Sequence, residues 1–344
     1  MNRKIVVFSL VAVALAFAAS AQAQGSGQVQ LTGAGATFPY PIYSKWFDVY
    51  NKQKPNIQIN YQSVGSGAGI RQVLSGTVDF GASDGPMTDE QLAQSKDGVL
   101  HFPTVLGSVV PTYNIPGVDK ELNFTQAALA GIYLGNITKW NDPEITKSNP
   151  GVNLPADEIV VVHRSDGSGT SYIWTDFLSE ASAEWKTKVG RNTSVNWPNG
   201  LGGKGNEGVS ALVKQTPFSI GYVELIYALQ TKLAYGRVQN SSGAFIKADL
   251  ASTTAAAAAA SKHMPEDFRI SITNAAGKTA YPISSFTWLL IPGSIPDATK
   301  KSTLKDFLKW MLTDGQKYTQ DLGYAPLPKE VVEMELKAID KKIK

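Results

Sequence analysis

Along the chain, apolar runs of strand length repeatedly give way to small polar or glycine-rich turns and then to apolar residues at helical spacing. Gln28 to Thr32 reads as a strand, Gly33-Ala34-Gly35-Ala36 breaks it, and Pro39 to Tyr50 carries a helical pattern. Ile57 to Tyr61 alternates as a strand, runs into "SVGSGAG", and resumes helical spacing from Ile70 to Leu74. Val78 to Ala82 is another short strand, ending at Ser83-Asp84-Gly85-Pro86. The same grammar returns at Ile159 to Val162, with "HRSDGSGT" as the turn and Ser171 to Leu178 as the helix.

The intervening segments are less regular. Leu100 to Tyr113 holds two apolar runs around Gly107 and suits strands crossing between two lobes. Phe124 to Tyr133 predicts a helix, and Trp140 to Pro143 a loop. "NWPNGLGGKGNEG" predicts a long glycine-rich loop before a helix over Val209 to Lys214. Ile220 to Val223 predicts a strand, followed by a helix near Ile226 to Leu229. The alanine run Ala255 to Ala260 predicts a surface helix, since alanine has the best helix propensity. Tyr281 to Ile291 is β-rich and could return the chain across the lobe boundary, and Leu304 to Met311 and Val331 to Ile339 read as C-terminal helices. Repeated strand-turn-helix units predict an α/β architecture that collects ligands at the carboxyl ends of its strands.

Composition narrows the chemistry. The 344 residues, 43% hydrophobic and 18% charged, suffice for two domains with their own cores. Met1-Asn2-Arg3-Lys4 is a short basic region, Ile5 to Ala19 is almost wholly apolar, and Ala21-Gln22-Ala23 is an A-x-A cleavage site, with Ala19-Ser20-Ala21 as a second choice. Residues 1–23 therefore read as a cleaved secretory signal peptide, giving an exported chain from near Gln24. No cysteine follows it, so a lipid anchor is not expected. Losing Arg3 and Lys4 lowers the formal charge from +3 to +1, which leaves no electrostatic case for nucleic acid. The absence of cysteine excludes disulfides and thiolate chemistry. His101, His163 and His263 have no metal-motif spacing, so neither a metal nor another cofactor is expected.

What remains is anion chemistry. A helix start offers unpaired N–H groups and a positive dipole end. Glycine lets backbone approach the guest, hydroxyls add donors, and arginine adds a charged fork matched to a tetrahedral oxyanion. "HRSDGSGTS" supplies all of these; "GAGATF" and "SVGSGAG" supply similar helix starts. Asp84 would repel an anion unless the guest carries a proton to donate to it. Protonated phosphate does, and fully ionised sulfate does not. The bond is worth roughly 1.5–3 kcal/mol, and sulfate would also leave the carboxylate unpaired. Asp166, two residues from Arg164, can hold the guanidinium still; each of these acids could alternatively be a turn or helix cap.

Several blocks in order carry a family resemblance: "LTGAGATFPYPIYSKW", "YQSVGSGAG", "VDFGASDGPM", "FPTVLGSVV", "IYLGNITKW", "HRSDGSGTS", "WPNGLGGKGNEG" and "IGYVE". Across nearly the whole mature chain the sequence resembles the periplasmic phosphate-binding proteins of bacterial Pst ABC transporters. The resemblance implies a type II periplasmic-binding-protein fold, with two three-layer α/β lobes closing over one phosphate. It places lobe I at 24–108 and 281–344 and lobe II at 109–280. It implies ligand contacts from Thr37, Phe38 (through its N–H), Ser66, Asp84, Arg164, Ser168, Gly169 (through its backbone) and Thr170, with Asp166 paired to Arg164. It further implies a monomeric, soluble periplasmic receptor that hands inorganic phosphate to an inner-membrane permease with a cytoplasmic ATPase.

Rival readings remain. Arsenate or sulfate is the nearest alternative guest. Gly81-Ala82-Ser83-Asp84-Gly85 matches the G-x-S-x-G elbow of a secreted esterase, but His263 is the only late histidine to serve it. A phosphatase would need a metal pair or an activated nucleophile, and neither is visible. "GLGGKG" lacks P-loop spacing and has Gly205 where a hydroxyl should follow Lys204. Trp140 and Trp197 could face the transporter or pack inward.

Overall fold

The computed structural model describes residues 27–344, so the expected leader over 1–23 and its cleavage sites lie outside the described residues. In the first lobe β1 (Val29–Gly35) leads to α1 (Tyr40–Gln53), β2 (Ile57–Ser63) to α2 (Ser66–Leu74), and β3 (Phe80–Ser83) to the turn at Asp84. After β4 (Val99–Asn114), the second lobe runs β5 (Val160–Arg164) to α3 (Gly169–Ala181), β6 (Leu201–Gly203) to α4 (Gly205–Gln215), and β7 (Ser219–Glu224) to α5 (Leu225–Thr231). Then come α6 (Leu250–Ser261), β8 (Ser284–Pro292), α7 (Ala298–Leu312) and α8 (Lys329–Lys342). The principal sheet is mixed, in the order β2-β1-β3-β8-β4-β7-β5-β6.

The two apolar runs around Gly107 form one strand, not two. Nearly every residue of β4 is buried, as expected where both faces of a sheet are covered. Its residues 99–108 pair antiparallel with β8, Ser108 opposite Ser284. Its residues 109–114 pair instead with β7, Val109 opposite Glu224. One continuous strand thus serves both lobes and changes partner between Ser108 and Val109. Gly107 sits at that change because a Cβ there would lie 2.4 Å from the Phe38 ring.

Helix α1 forms where the pattern predicts. Ile42, Tyr43, Trp46, Phe47 and Tyr50 return to one face at helical spacing, and Pro41 opens the first turn. Two expectations are corrected. The segment "GLGGKGNEG" is not all loop: Leu201–Gly203 pairs in parallel with β5, and helix α4 begins at Gly205. The alanine run is not a plain surface helix: Ala256 and Ala257 are fully buried, and Thr253 Oγ1 hydrogen-bonds Ser108 Oγ at 2.8 Å. Short side chains let α6 lie close against the crossing strands. Trp140 packs inward, its Nε1 donating to Phe218 O at 2.9 Å, and Trp197 stacks on His163.

Helix α8 buries Val331, Glu335, Ala338 and Ile339. Neither carboxyl oxygen of Glu335 has a hydrogen-bond partner among the described residues, and burial raises the acid well above the ordinary carboxylate range. The folded state keeps a proton that the unfolded chain releases above about pH 4.3. Stability therefore falls as pH rises from there toward the folded value. Glu335→Leu, of similar volume, is expected to stabilise the fold by about 1–3 kcal/mol at pH 8 and by less at pH 5. Thermal melting at both pH values measures this; no gain at pH 8 would contradict it.

Candidate functional site

Strands β1, β2 and β3 run parallel, so their carboxyl ends share one edge of the first lobe. Strands β5, β6 and β7 do the same in the second. Each end opens into a turn. Thr37 and Phe38 lie between β1 and α1, Ser66 begins α2, and Asp84 follows β3. Arg164 ends β5, and Ser168 caps α3 by accepting from Ser171 N–H at 3.0 Å, with Gly169 and Thr170 as the first helical residues. All eight residues are buried, and the structure brings them together where the lobes meet. Gly67 N–H donates to Gly167 O at 2.9 Å, and Gly169 N–H to Ser66 Oγ at 3.0 Å, so the lobes touch directly.

Arg164 is held from one side. Its Nε and Nη2 donate to the two oxygens of Asp166 at 2.8 and 2.6 Å, while Nη1 reaches Thr170 Oγ1 at 3.3 Å. A guanidinium carries five N–H donors, so one remains on each Nη. Asp166 also accepts from Gly205 N–H at 3.0 Å. Burial alone would raise the Asp166 carboxyl, but the Arg164 hydrogen bonds and charge hold it below the ordinary carboxylate range. The predicted pairing is therefore present.

The hydroxyls share one polarity. Ser66 Oγ accepts from Asp84 N–H at 3.3 Å and from Gly169 N–H. Thr37 Oγ1 accepts from Asn206 Nδ2 at 2.7 Å and Asn206 N–H at 3.3 Å. Thr170 Oγ1 accepts from Asn206 Nδ2 at 3.1 Å and from Arg164. A hydroxyl has two lone pairs and one hydrogen. Each of these three has both lone pairs occupied, and none donates to an acceptor among the described residues. The N–H groups of Thr37, Phe38, Ser66 and Thr170 likewise make no hydrogen bond among the described residues. Gly169 N–H, expected as a donor to the guest, is spent here on Ser66.

Asp84 is the opposite case. Its Oδ1 accepts from Thr287 Oγ1 at 2.8 Å, whereas its buried Oδ2 has no partner among the described residues. Burial pushes this carboxyl up to about 7, against the lowering effects of the Thr287 hydrogen bond and the Arg164 charge. Unmatched donors on three hydroxyls, several amides and a guanidinium thus gather about the unmatched Asp84 Oδ2; the second unpartnered carboxyl oxygen nearby, Glu224 Oε1, belongs to an acid that burial raises well above the ordinary carboxylate range. The complement is a compact anion with several acceptor oxygens and one hydrogen to give.

Sequence reasoning missed the residues behind this site. Asn206 and Thr287 orient the hydroxyls and the acid. Tyr61, Tyr227 and Tyr324 donate to the carbonyls of Ala36, Thr37 and Phe38 at 2.8, 2.5 and 2.6 Å. Donation to a carbonyl polarises its peptide group, which strengthens the Thr37 and Phe38 N–H donors. Asn206 lies in the quoted "GGKGNEG", but no local signal says which way its amide points. The rival motifs fare differently. Ser83 Oγ donates to Gly85 O, His101 accepts from Met87 N–H at 3.1 Å, and His263 is exposed, so Ser83 has no poised base. Lys204 is exposed beside a helix start rather than inside a phosphate loop. No group of His, Cys, Asp and Glu among the described residues could hold a metal ion.

Comparison with known proteins gives three kinds of match. Residues 18–315 match the PBP superfamily domain. The phosphate-binding protein PstS of Xylella fastidiosa is 47% identical over 298 residues, covering 86% of this chain and 81% of that protein. PstS of Pasteurella multocida is 46% identical over 301 residues, covering 87% and 86%. Among solved structures, a high affinity periplasmic phosphate-binding protein (PfluDING) bound with phosphate superposes with a TM-score of 0.71 at 21% identity, covering 90% of this chain and 94% of that one. At that identity the superposition speaks for the fold, which is of the type II periplasmic-binding-protein class.

Proposed function

The chain belongs to the PstS family of phosphate-binding proteins within the PBP superfamily, and from that premise we propose that it captures inorganic phosphate with high affinity in the periplasm and delivers it to a Pst ABC transporter for import. Thr37, Phe38, Ser66, Arg164, Ser168 and Thr170 donate to the phosphate oxygens, Gly169 joins them when its N–H turns from Ser66 Oγ to the guest, and Asp84 accepts the phosphate hydrogen. The observation that carries this reading is the unpartnered Oδ2 of Asp84 beside the Ser66, Thr37 and Thr170 hydroxyls, whose lone pairs are all occupied. Lobe divisions after residue 108 and before residue 281 accord with the partner change in β4 and with the return strand β8. Residues 1–23 serve as the cleaved export signal. Closure changes the surface offered to the permease and its ATPase partner, so that a loaded monomer is distinguished from an empty one.

Titration calorimetry with phosphate, arsenate and sulfate between pH 6 and 9 tests the assignment. Phosphate and protonated arsenate are expected to bind one per chain. At pH 8 sulfate should bind about tenfold more weakly than phosphate, because with the acid near 7 only about one Asp84 in ten carries the proton that sulfate needs. Sulfate can be held only when Asp84 itself carries the proton. With that acid near 7, sulfate affinity should rise up to about tenfold per unit as pH falls from 9 to 7 and level off below 6. Equal affinities for phosphate and sulfate at pH 8 would sink the reading.

A further inference from the structure

We infer that Asn206 is a positioning residue that turns the hydroxyl hydrogens of Thr37 and Thr170 onto the bound anion, and that it can do so only when the lobes are together. The inference rests on the proposed phosphate site and adds a residue to it that does not itself contact the guest.

Asn206 is fully buried as the second residue of α4. Its Oδ1 accepts from Glu224 N–H at 2.9 Å, and an amide turned the other way would set two donors face to face there. That contact fixes the amide. Nδ2 then has two hydrogens and two hydroxyl oxygens to receive them, Thr37 Oγ1 at 2.7 Å and Thr170 Oγ1 at 3.1 Å. The second lone pair of each hydroxyl is taken by Asn206 N–H and by Arg164 Nη1 respectively. Each hydroxyl is left with only its hydrogen to offer. A hydroxyl without this constraint could turn a lone pair toward an anion, which repels it.

Placement gives the second half of the inference. Asn206 and Thr170 belong to the second lobe and Thr37 to the first, so the Asn206–Thr37 bonds span the boundary. Tyr227, also of the second lobe, grips the same residue by donating to Thr37 O. An open molecule lacks these bonds, and the Thr37 hydroxyl is then free to rotate. Closure therefore organises the donor set as well as enclosing the guest.

The test is phosphate calorimetry at pH 8 on the full chain, with thermal melting of each variant. Asn206→Asp keeps the size but replaces Nδ2 with an acceptor-only oxygen, which pulls both hydroxyl hydrogens away from the anion and adds a negative charge. Affinity is expected to fall at least about 300-fold, whereas Asn206→Ala, which merely frees the hydroxyls, should lose about tenfold. A space-filling role predicts the reverse order, because the isostere would then be the milder change. Asn206→Asp binding within threefold of wild type, or Asn206→Ala binding more weakly than Asn206→Asp, overturns the inference. A cycle with Thr170→Val and Asn206→Ala does not depend on the aspartate variant folding. If Asn206 acts partly through the Thr170 hydroxyl, the two losses should not add, and full additivity overturns it. Failure of the wild-type chain to bind phosphate would instead remove the proposed function itself.

Discussion

At pH 8 Asp84→Asn is expected to bring the phosphate-over-sulfate affinity ratio down about 100- to 1000-fold, through a gain for sulfate and a loss for phosphate. The Thr287 hydroxyl donates to Oδ1 at 2.8 Å, and in the asparagine variant it would select the amide oxygen for that place. Nδ2 then stands where Oδ2 stood, so a donor replaces that unmatched acceptor. Sulfate then finds a donor at any pH instead of only where Asp84, near 7, is protonated, a gain of about tenfold at pH 8. Phosphate loses its charge-assisted bond but can turn an unprotonated oxygen to the new N–H, so its affinity should move by no more than about 10- to 100-fold. The pH dependence of sulfate binding should vanish with the titrating group. Calorimetry with both anions reads all three effects, and a ratio within threefold of wild type would exclude Asp84 as the discriminator.

The second large effect is steric. A Cβ on Gly169 would lie 2.5 Å from Asp84 Oδ2, 2.5 Å from Ser66 Oγ and 2.6 Å from Asp84 Cβ. Those atoms belong to the first lobe and Gly169 to the second, so the added methyl acts as a wedge between them. Gly169 opens α3 with ordinary helical backbone, where alanine is the better helix former by up to about 1 kcal/mol. Gly169→Ala should therefore fold and melt like wild type without ligand while losing phosphate affinity at least about 100-fold. The rise in melting temperature that phosphate produces, which scales with the logarithm of ligand concentration over Kd, should shrink accordingly. Affinity within tenfold of wild type would mean that binding does not require this approach of the lobes.

These two predictions draw on different kinds of legibility. Thr37, Ser66, Asp84, Arg164, Ser168 and Thr170 stand out in the sequence because glycine, hydroxyl and arginine at a strand-to-helix turn form a local pattern. Their chemistry is written within a few residues. The partner of Asp84 is not, since Thr287 lies 203 residues away and reaches it through the β8 strand. The alanine run misled for the same reason. Its residues carry high helix propensity whether or not they are covered, and only the position of β4 decides that Ala256 and Ala257 are inside. The loop over "GLGGKGNEG" misled because its glycines signal breaks, while parallel pairing with β5 supplies the partners that make Leu201–Gly203 a strand.

The sequence by itself determined the α/β grammar, the turns that hold the donors, the acid among them and the family. Each follows from local propensity or from an ordered set of motifs. Only the tertiary structure decided that one strand serves both lobes, that three tyrosines hold three successive carbonyls, and that Asn206 occupies the lone pairs of two hydroxyls. The physical reason is that a hydrogen bond's direction depends on where both partners sit. For these groups the partners come from distant parts of the chain, and folding alone brings them within 3 Å or so of each other.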